Sequence, residues 1–482
     1  MPKPVKISNK KKKKQNKSSK SKENASSSPM VSEPIRSWHP GMYKLDDDEV
    51  LECDPASYNC LHSFRADWSC LSFDILRDSL GLVRTEFPHT VYLVAGTQAT
   101  EAASNYIGVF KVSNISGRRR EVVSSKKENE DEDSDSDSES DSEEDEFGED
   151  SRKRIVQVRK VAHQGCVNRI RSMPQNPHIC ASWSEFGHVQ IWDFNAHLNA
   201  ISQSPSGSAA DSVVHKQPPL AVHGGHKIEG YALDWSPRVP GKLVSGDCNK
   251  FIHLWEPSSG SSWNVEKTPF VGHSSSVEDL QWSPTEDTVF ASCSSDKTIA
   301  IWDTRKGKSA AFKFEAHEAD VNVISWNRLA SVMLASGSDD GKFSIRDLRQ
   351  ISSGGDRSRV AHFEYHKEPI TSIEWSPHEA SSLAVSCADN QLTVWDLSLE
   401  KDEEEETEFK MQSGDRVKDP VDLPPQLLFD HHGQKDLKEI HWHSQIPGMI
   451  ISTALDAFNI LMPYNIQSFL PSASADVPMN DS

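Results

Sequence analysis

The chain has 482 residues, 36% of them hydrophobic and 26% charged, with a formal net charge of −20. That length suits one large repeat domain plus tails better than one small core. No apolar stretch approaches the ~20 residues that cross a bilayer, no apolar leader opens the chain, and so anionic a surface repels nucleic acid except at a basic tail.

The first 22 residues carry ten Lys and no acid, and the Lys run 10–14 reads as a nuclear or nucleolar address. Residues 1–37 are expected to be a disordered basic tail, and 38–66 an N-terminal segment with a short helix. Residues 91–97 and 106–112 alternate as strands of a first blade, whose outer strand is 155–161. Between them, residues 128–150 hold fifteen Asp or Glu and no base, inside an acidic loop 124–151. Residues 71–75 are left to complete the last blade and close the ring, removing the open edge.

Five segments then repeat one spacing. They run His163 to Trp192, His226 to Trp255, His273 to Trp302, His317 to Arg346 and His366 to Trp395, and each spans 29 residues. Trp235, Trp282, Trp326 and Trp375 fill an inner slot, which Ser172 holds in the first segment. Phe186, Asn249, Asp296, Asp340 and Asp389 stand six residues before the final position. Between these anchors apolar residues alternate with period two, as in Thr298-Ile299-Ala300-Ile301-Trp302, and short turns such as Ser338-Asp339-Asp340-Gly341 precede that strand. A sixth segment, His432 to Met462, keeps Trp442 and has a degenerate end. With the first blade this makes seven. Four-stranded units of this size are stable when stacked radially, so the fold class is all-β, a seven-bladed β-propeller over 67–463. A Ser/Pro-rich loop 196–219 and an acidic loop 400–422 interrupt it, and 464–482 is a C-terminal tail. Both acidic loops join third to outer strands, so both leave one face of the disc.

Repeated His, Ser and Asp, for example His273, Ser294 and Asp296, imitate a hydrolase triad. A set that recurs blade after blade is a hydrogen-bond network, and a catalytic set occurs once; no enzyme activity and no cofactor are indicated. His441-Trp442-His443 has no third ligand in view, so no metal site is indicated. The eight cysteines, Cys53, Cys60, Cys70, Cys166, Cys180, Cys248, Cys293 and Cys387, form no CxxC pair and suit a reducing compartment.

These spacings, with Trp192-Asp193, Trp302-Asp303 and Trp395-Asp396, resemble the WD-repeat family. Tyr58-Asn59-Cys60-Leu61-His62, Trp68-Ser69-Cys70-Leu71-Ser72-Phe73 and Leu93-Val94-Ala95-Gly96-Thr97 resemble the start of histone-binding WD-repeat chaperones. Pro424-Pro425-Gln426-Leu427-Leu428-Phe429 resembles the loop those proteins set beside an N-terminal helix. With the acidic insertion, residues 38–463 look like the glutamate-rich WD-repeat family. The resemblance implies a nuclear and nucleolar chaperone in ribosome biogenesis, with histones or a large-subunit ribosomal protein as basic partners. It also implies a groove of Tyr58, Leu61, His62, Leu428 and Phe429, with Asp419 and Asp422 as anionic contacts. Gln426 departs from the carboxylate of those relatives. Nucleic acid would be met only indirectly or through the Lys tail, and the chain is expected to be a monomer.

Ser134, Ser136, Ser138, Ser140 and Ser142 each precede an acid by three residues and suit an acidophilic kinase. The alternative function is substrate receptor of a cullin-RING ubiquitin ligase of the DDB1–CUL4 type. Trp302-Asp303-Thr304-Arg305 and Arg346-Asp347-Leu348-Arg349 resemble the W-D-x-R box that docks on such an adaptor, with Arg305 and Arg349 as hydrogen-bond donors.

Overall fold

The structure, a computed structural model, describes residues 5–9, 37–38, 49–118, 154–204, 213–258, 262–353, 356–400, 423–455 and 457–469. Seven antiparallel sheets follow one another around a ring, and the first strands of successive blades pack together at its centre. Blade 1 comprises Cys70–Ile75, His89–Thr97, Tyr106–Ile115 and Ile155–Ala162. Blade 4 comprises Val277–Trp282, Val289–Ser294, Thr298–Asp303 and Phe312–Glu315. Blade 7 comprises Leu437–Trp442, Ile450–Ala454, Phe458–Pro463 and, from the other end of the chain, Tyr58–Phe64. A separate small sheet pairs Val5–Asn9 with Ser37–Trp38 and Glu49–Glu52, so part of the expected tail is extended and paired.

The ring closes with a different strand from the one expected. Tyr58 stands opposite Pro463 and Phe64 opposite Phe458, while Cys70–Ile75 pairs inside blade 1, Phe73 opposite Ala95. The cause is legible in the side chains. Tyr58, Cys60 and Phe64 alternate inward and are buried, which is a strand pattern. The helix expected in 38–66 is, among the described residues, only the 3-10 turn Pro55–Ser57, capped by the Asp54 carboxylate on the Ala56 N–H at 3.0 Å. The insertion expected as a loop over 196–219 likewise opens as a helix, Asn195–Gln203. Its buried Ile201 joins the blade 1 core, and Val214–His215 then adds a fifth, parallel strand beside Lys160 and Val161.

Neighbouring blades are stitched through their first strands. Inward carboxylates accept backbone N–H groups of the next blade: Asp74 from Ser172, Asp234 from Trp282, Asp279 from Ile324, Glu374 from Trp442. Glu439 completes the circuit, accepting the Phe73 N–H at 2.8 Å across the seam where blade 7 meets blade 1. The inner Trp residues serve the same end. The indoles of Trp235, Trp282, Trp375 and Trp442 each donate to a carbonyl of the preceding blade, at Arg171, Asp234, Ser325 and Glu374. A buried indole N–H needs a partner, so this position demands Trp where the next blade offers a carbonyl.

An antiparallel blade sends its connections alternately to two faces. First-to-second and third-to-outer connections share one face, here termed lower; second-to-third and interblade connections share the other.

Candidate functional site

The recurrent polar residues lie inside the blades. In blade 4, Ser292 Oγ meets His273 Nε2 at 2.7 Å and accepts the Trp302 indole at 2.8 Å, while Asp296 holds His273 Nδ1 at 3.2 Å. The serine is therefore Ser292 and not Ser294, whose hydroxyl accepts the Asp296 N–H. In blade 3 the same set is His226, Ser245, Trp255 and Asp247, not Asn249. In blade 7 Gln434 takes the histidine's place against Ser452, rather than His432. Arg346 fills the final slot of blade 5 by donating to the carbonyl of Ala316 at 2.7 Å and lying over the Phe314 ring. Each serine is consumed by the blade, and none is free to attack a substrate.

Among the described residues, one group has ligand atoms close enough for a metal: His366, Cys387 and Asp389. His366 meets Asp389 through Nδ1 and Thr393 through Nε2, each at 3.0 Å, and Cys387 donates to the Glu368 carbonyl. It is the same blade network with a thiol in it. His441 and His443 also separate. His441 bridges Glu374, at 3.1 Å, and the Phe73 carbonyl; burial opposes its charge, but the two carboxylates of Glu374 and Glu439 hold its pKa up at about 10. Burial pushes His443 down to about 3.

The central channel holds a charge cluster that no motif announced. Glu439 is met by Arg169 and Arg171, each at 2.6 Å. Despite its burial, those guanidinium groups keep the Glu439 carboxyl well below its usual range. Burial raises Asp74 and Asp279, and lifts Asp234 to about 7. Charged residues at inward positions of the first strands were the available signal.

On the lower face stand Arg305 and Arg349, 65% and 68% exposed, each folded back on the Asp of its own box with Nη2 at 2.9 and 2.7 Å. Trp302 is fully buried, and Asp303 and Asp347 are nearly so. The strand ends that bracket the acidic runs, Ile115 and Ile155 in blade 1 and Asp396 and Leu427 in blade 6, belong to the same face. Ser134, Ser136, Ser138, Ser140, Ser142, Asp419 and Asp422 lie outside the described residues.

The expected groove divides in two. Tyr58 and Phe429 are buried, ring centroids 5.1 Å apart, with the Tyr58 hydroxyl 2.6 Å from His431 Nδ1. Leu61, His62 and Leu428 are half-buried, and His62 Nε2 meets the Ser116 carbonyl at 2.9 Å. The side-chain amide of Gln426 turns back onto the Leu399 carbonyl at 2.9 Å.

Comparison with known proteins agrees with this architecture. Residues 48–116 match the family described as histone-binding protein RBBP4 or its counterpart in the CAF1 complex, and 264–303, 308–347 and 357–396 match the WD domain, G-beta repeat. A Dictyostelium discoideum protein named glutamate-rich WD repeat-containing protein 1 is 46% identical, covering 90% of this chain and 86% of its own length. The chain belongs to the glutamate-rich WD-repeat family. The ribosome assembly protein rrb1 of Schizosaccharomyces pombe is 41% identical over 88% of this chain and 83% of its own. The Arabidopsis thaliana protein HEAT STRESS TOLERANT DWD 1 is 64% identical over 93% of this chain and 95% of its own. The WD40 propeller of Doa1, at 13% identity and TM-score 0.50, covers 84% of this chain and 96% of its own and shares the fold. Among the described residues, no helix of this glutamate-rich WD-repeat chain is long and apolar enough to cross a membrane.

Proposed function

We propose that the chain is a non-enzymatic holder of basic proteins, a chaperone or assembly factor for ribosomal proteins or histones in the nucleus and nucleolus. One observation carries this reading. The strand ends that bracket the acidic runs share the lower face, in blades 1 and 6 with only blade 7 between, on a ring whose His, Ser and Asp groups are spent on holding blades. Concentrated carboxylates steer cationic chains and shield them from wrong partners. The names of the rrb1 and RBBP4 relatives point the same way. In this reading Leu61, His62 and Leu428 form the apolar contact, Tyr58 and Phe429 brace it from behind, and Asp419 and Asp422 add anionic contacts. Phosphorylation at Ser134 to Ser142 would deepen the charge by about −1.5 to −2 per site. The test is capture of core histones and of a purified basic ribosomal protein by the full chain and by one lacking 128–150. The shortened chain is expected to capture less, and equal capture would sink the reading.

A second reading rests on the exposed Arg305 and Arg349 and on the relative that carries DWD in its name. There the lower face also docks a ligase adaptor. Replacing both arginines by Ala is expected to abolish adaptor binding while histone capture persists; undiminished adaptor binding would remove this reading.

A further inference from the structure

The connection between the first two strands of blade 1 exposes an apolar cluster that the propeller itself does not need. Leu80, Leu82, Val83 and Phe87 are 54%, 78%, 55% and 37% exposed, four large apolar side chains within eight residues. Loops rarely display such a set without a use.

This loop is held in shape. Gln445 of blade 7 accepts the Asp78 N–H through its side chain at 2.9 Å and donates to the carbonyls of Asp78 and Gly81. The Gln445 carbonyl accepts the Arg84 N–H, and Arg84 closes the turn on Asp78 at 2.9 Å and on the Thr90 carbonyl at 2.8 Å. Ordering the loop therefore precedes any binding, which lowers the cost of using it as an anchor. Beside it lies a small cleft walled by Asn59, Arg84, Phe87, Pro447, Met462 and Ile466. The turn Tyr464–Phe469 links this cleft to the candidate groove: Ile466 lines the cleft and packs with Tyr58 and Phe429, while Asn465 donates to the Leu428 carbonyl at 2.6 Å.

Charge selects the occupant. Arg118 donates its N–H to Asn59 on the cleft wall at 2.8 Å, and Gly117 lies against the Phe87 ring. From that point the chain runs into the sequence 128–150, with its fifteen acids and no base. Arg84, the cation on the wall, is already neutralised by Asp78. We propose that Leu80, Leu82, Val83 and Phe87, with the adjoining cleft, form an apolar anchor for a basic amphipathic segment of a partner protein, seated beside the acidic run. The proposal rests on the basic-partner reading above and adds what that reading lacks, a place where the partner's apolar residues go.

The test uses two peptides of equal charge and length, one alternating Lys with Leu on a helical face, the other Lys with Ser. They are titrated against the full chain and against L82S/V83S. The exposed positions leave thermal unfolding unchanged, which the same samples check. The Lys/Leu peptide is expected to bind the full chain more tightly. The double variant should weaken it about tenfold, the loss of an interface anchor, and leave the Lys/Ser peptide unaffected. Equal binding of both peptides, indifferent to the variant, overturns the proposal while basic-partner capture stands. Binding of neither peptide overturns both. Self-association of the full chain that the double variant abolishes assigns the patch to a second copy and overturns it too.

Discussion

Buried histidines set the acid limit of this protein. Burial lowers His163, His317 and His431 to about 4, against 6.5 for a free imidazole. In each, the folded chain prefers the neutral ring, so between about 6.5 and 4 the unfolded state takes up more protons. Stability is therefore expected to be full above pH 6.5 and to fall progressively towards pH 4, by on the order of a few kcal/mol in total. His441 acts oppositely: its raised pKa contributes stability below 6.5 that is lost as pH rises through about 10. Urea unfolding from pH 7.5 down to 4.5 measures the first slope, and a flat midpoint would contradict it. At this scale the sequence was a partial guide. The His and Trp anchors were legible from their 29-residue spacing, but Ser292 was not, since two serines flank Cys293 and only the register opposite the histidine separates them. Asp247 escaped for a similar reason, standing two residues before the expected Asn249.

Among the elements, the seam between blades 7 and 1 is the place where an incomplete ring would open. Two devices hold it: the strand Tyr58–Phe64 on the edge of Phe458–Pro463, and Glu439, which binds the Phe73 N–H while pairing with Arg169 and Arg171. Glu439→Ala leaves two guanidinium groups and a backbone donor without their acceptor. Removing one partner of a buried ion pair costs about 3–5 kcal/mol. The expected outcome is a lower denaturant midpoint for Glu439→Ala and a milder loss for Glu439→Gln, which keeps an acceptor for Phe73; a midpoint unchanged in both variants would deny the latch. The blades were readable because a half-buried strand must alternate. The closing strand was misassigned because 58–64 resembled a helical segment of relatives, although Tyr58, Cys60 and Phe64 already carried the period of two. The helix Asn195–Gln203 was missed because its apolar face is just His197 and Ile201, too little to stand out beside a Ser/Pro-rich stretch.

For the whole molecule, topology decides what the charge can do. A seven-bladed ring fixes which connections share a face, and the acidic runs, the paired arginines of the two boxes and the apolar loop 80–87 all fall on one. The candidate groove was only half legible: the motif located it, but register sent Tyr58 and Phe429 inward as support and left Leu61, His62 and Leu428 to face a partner. The most direct test of charge-driven holding is calorimetric titration of histone H3–H4 into the full chain and into a version of equal length whose acids within 128–150 are replaced by Asn and Gln, at about 0.1 and 0.4 M salt, where screening differs twofold. Affinity of the full chain is expected to fall steeply with salt, and the neutralised chain to bind weakly with a shallow dependence. Equal affinity and equal salt slope for the two chains would contradict it.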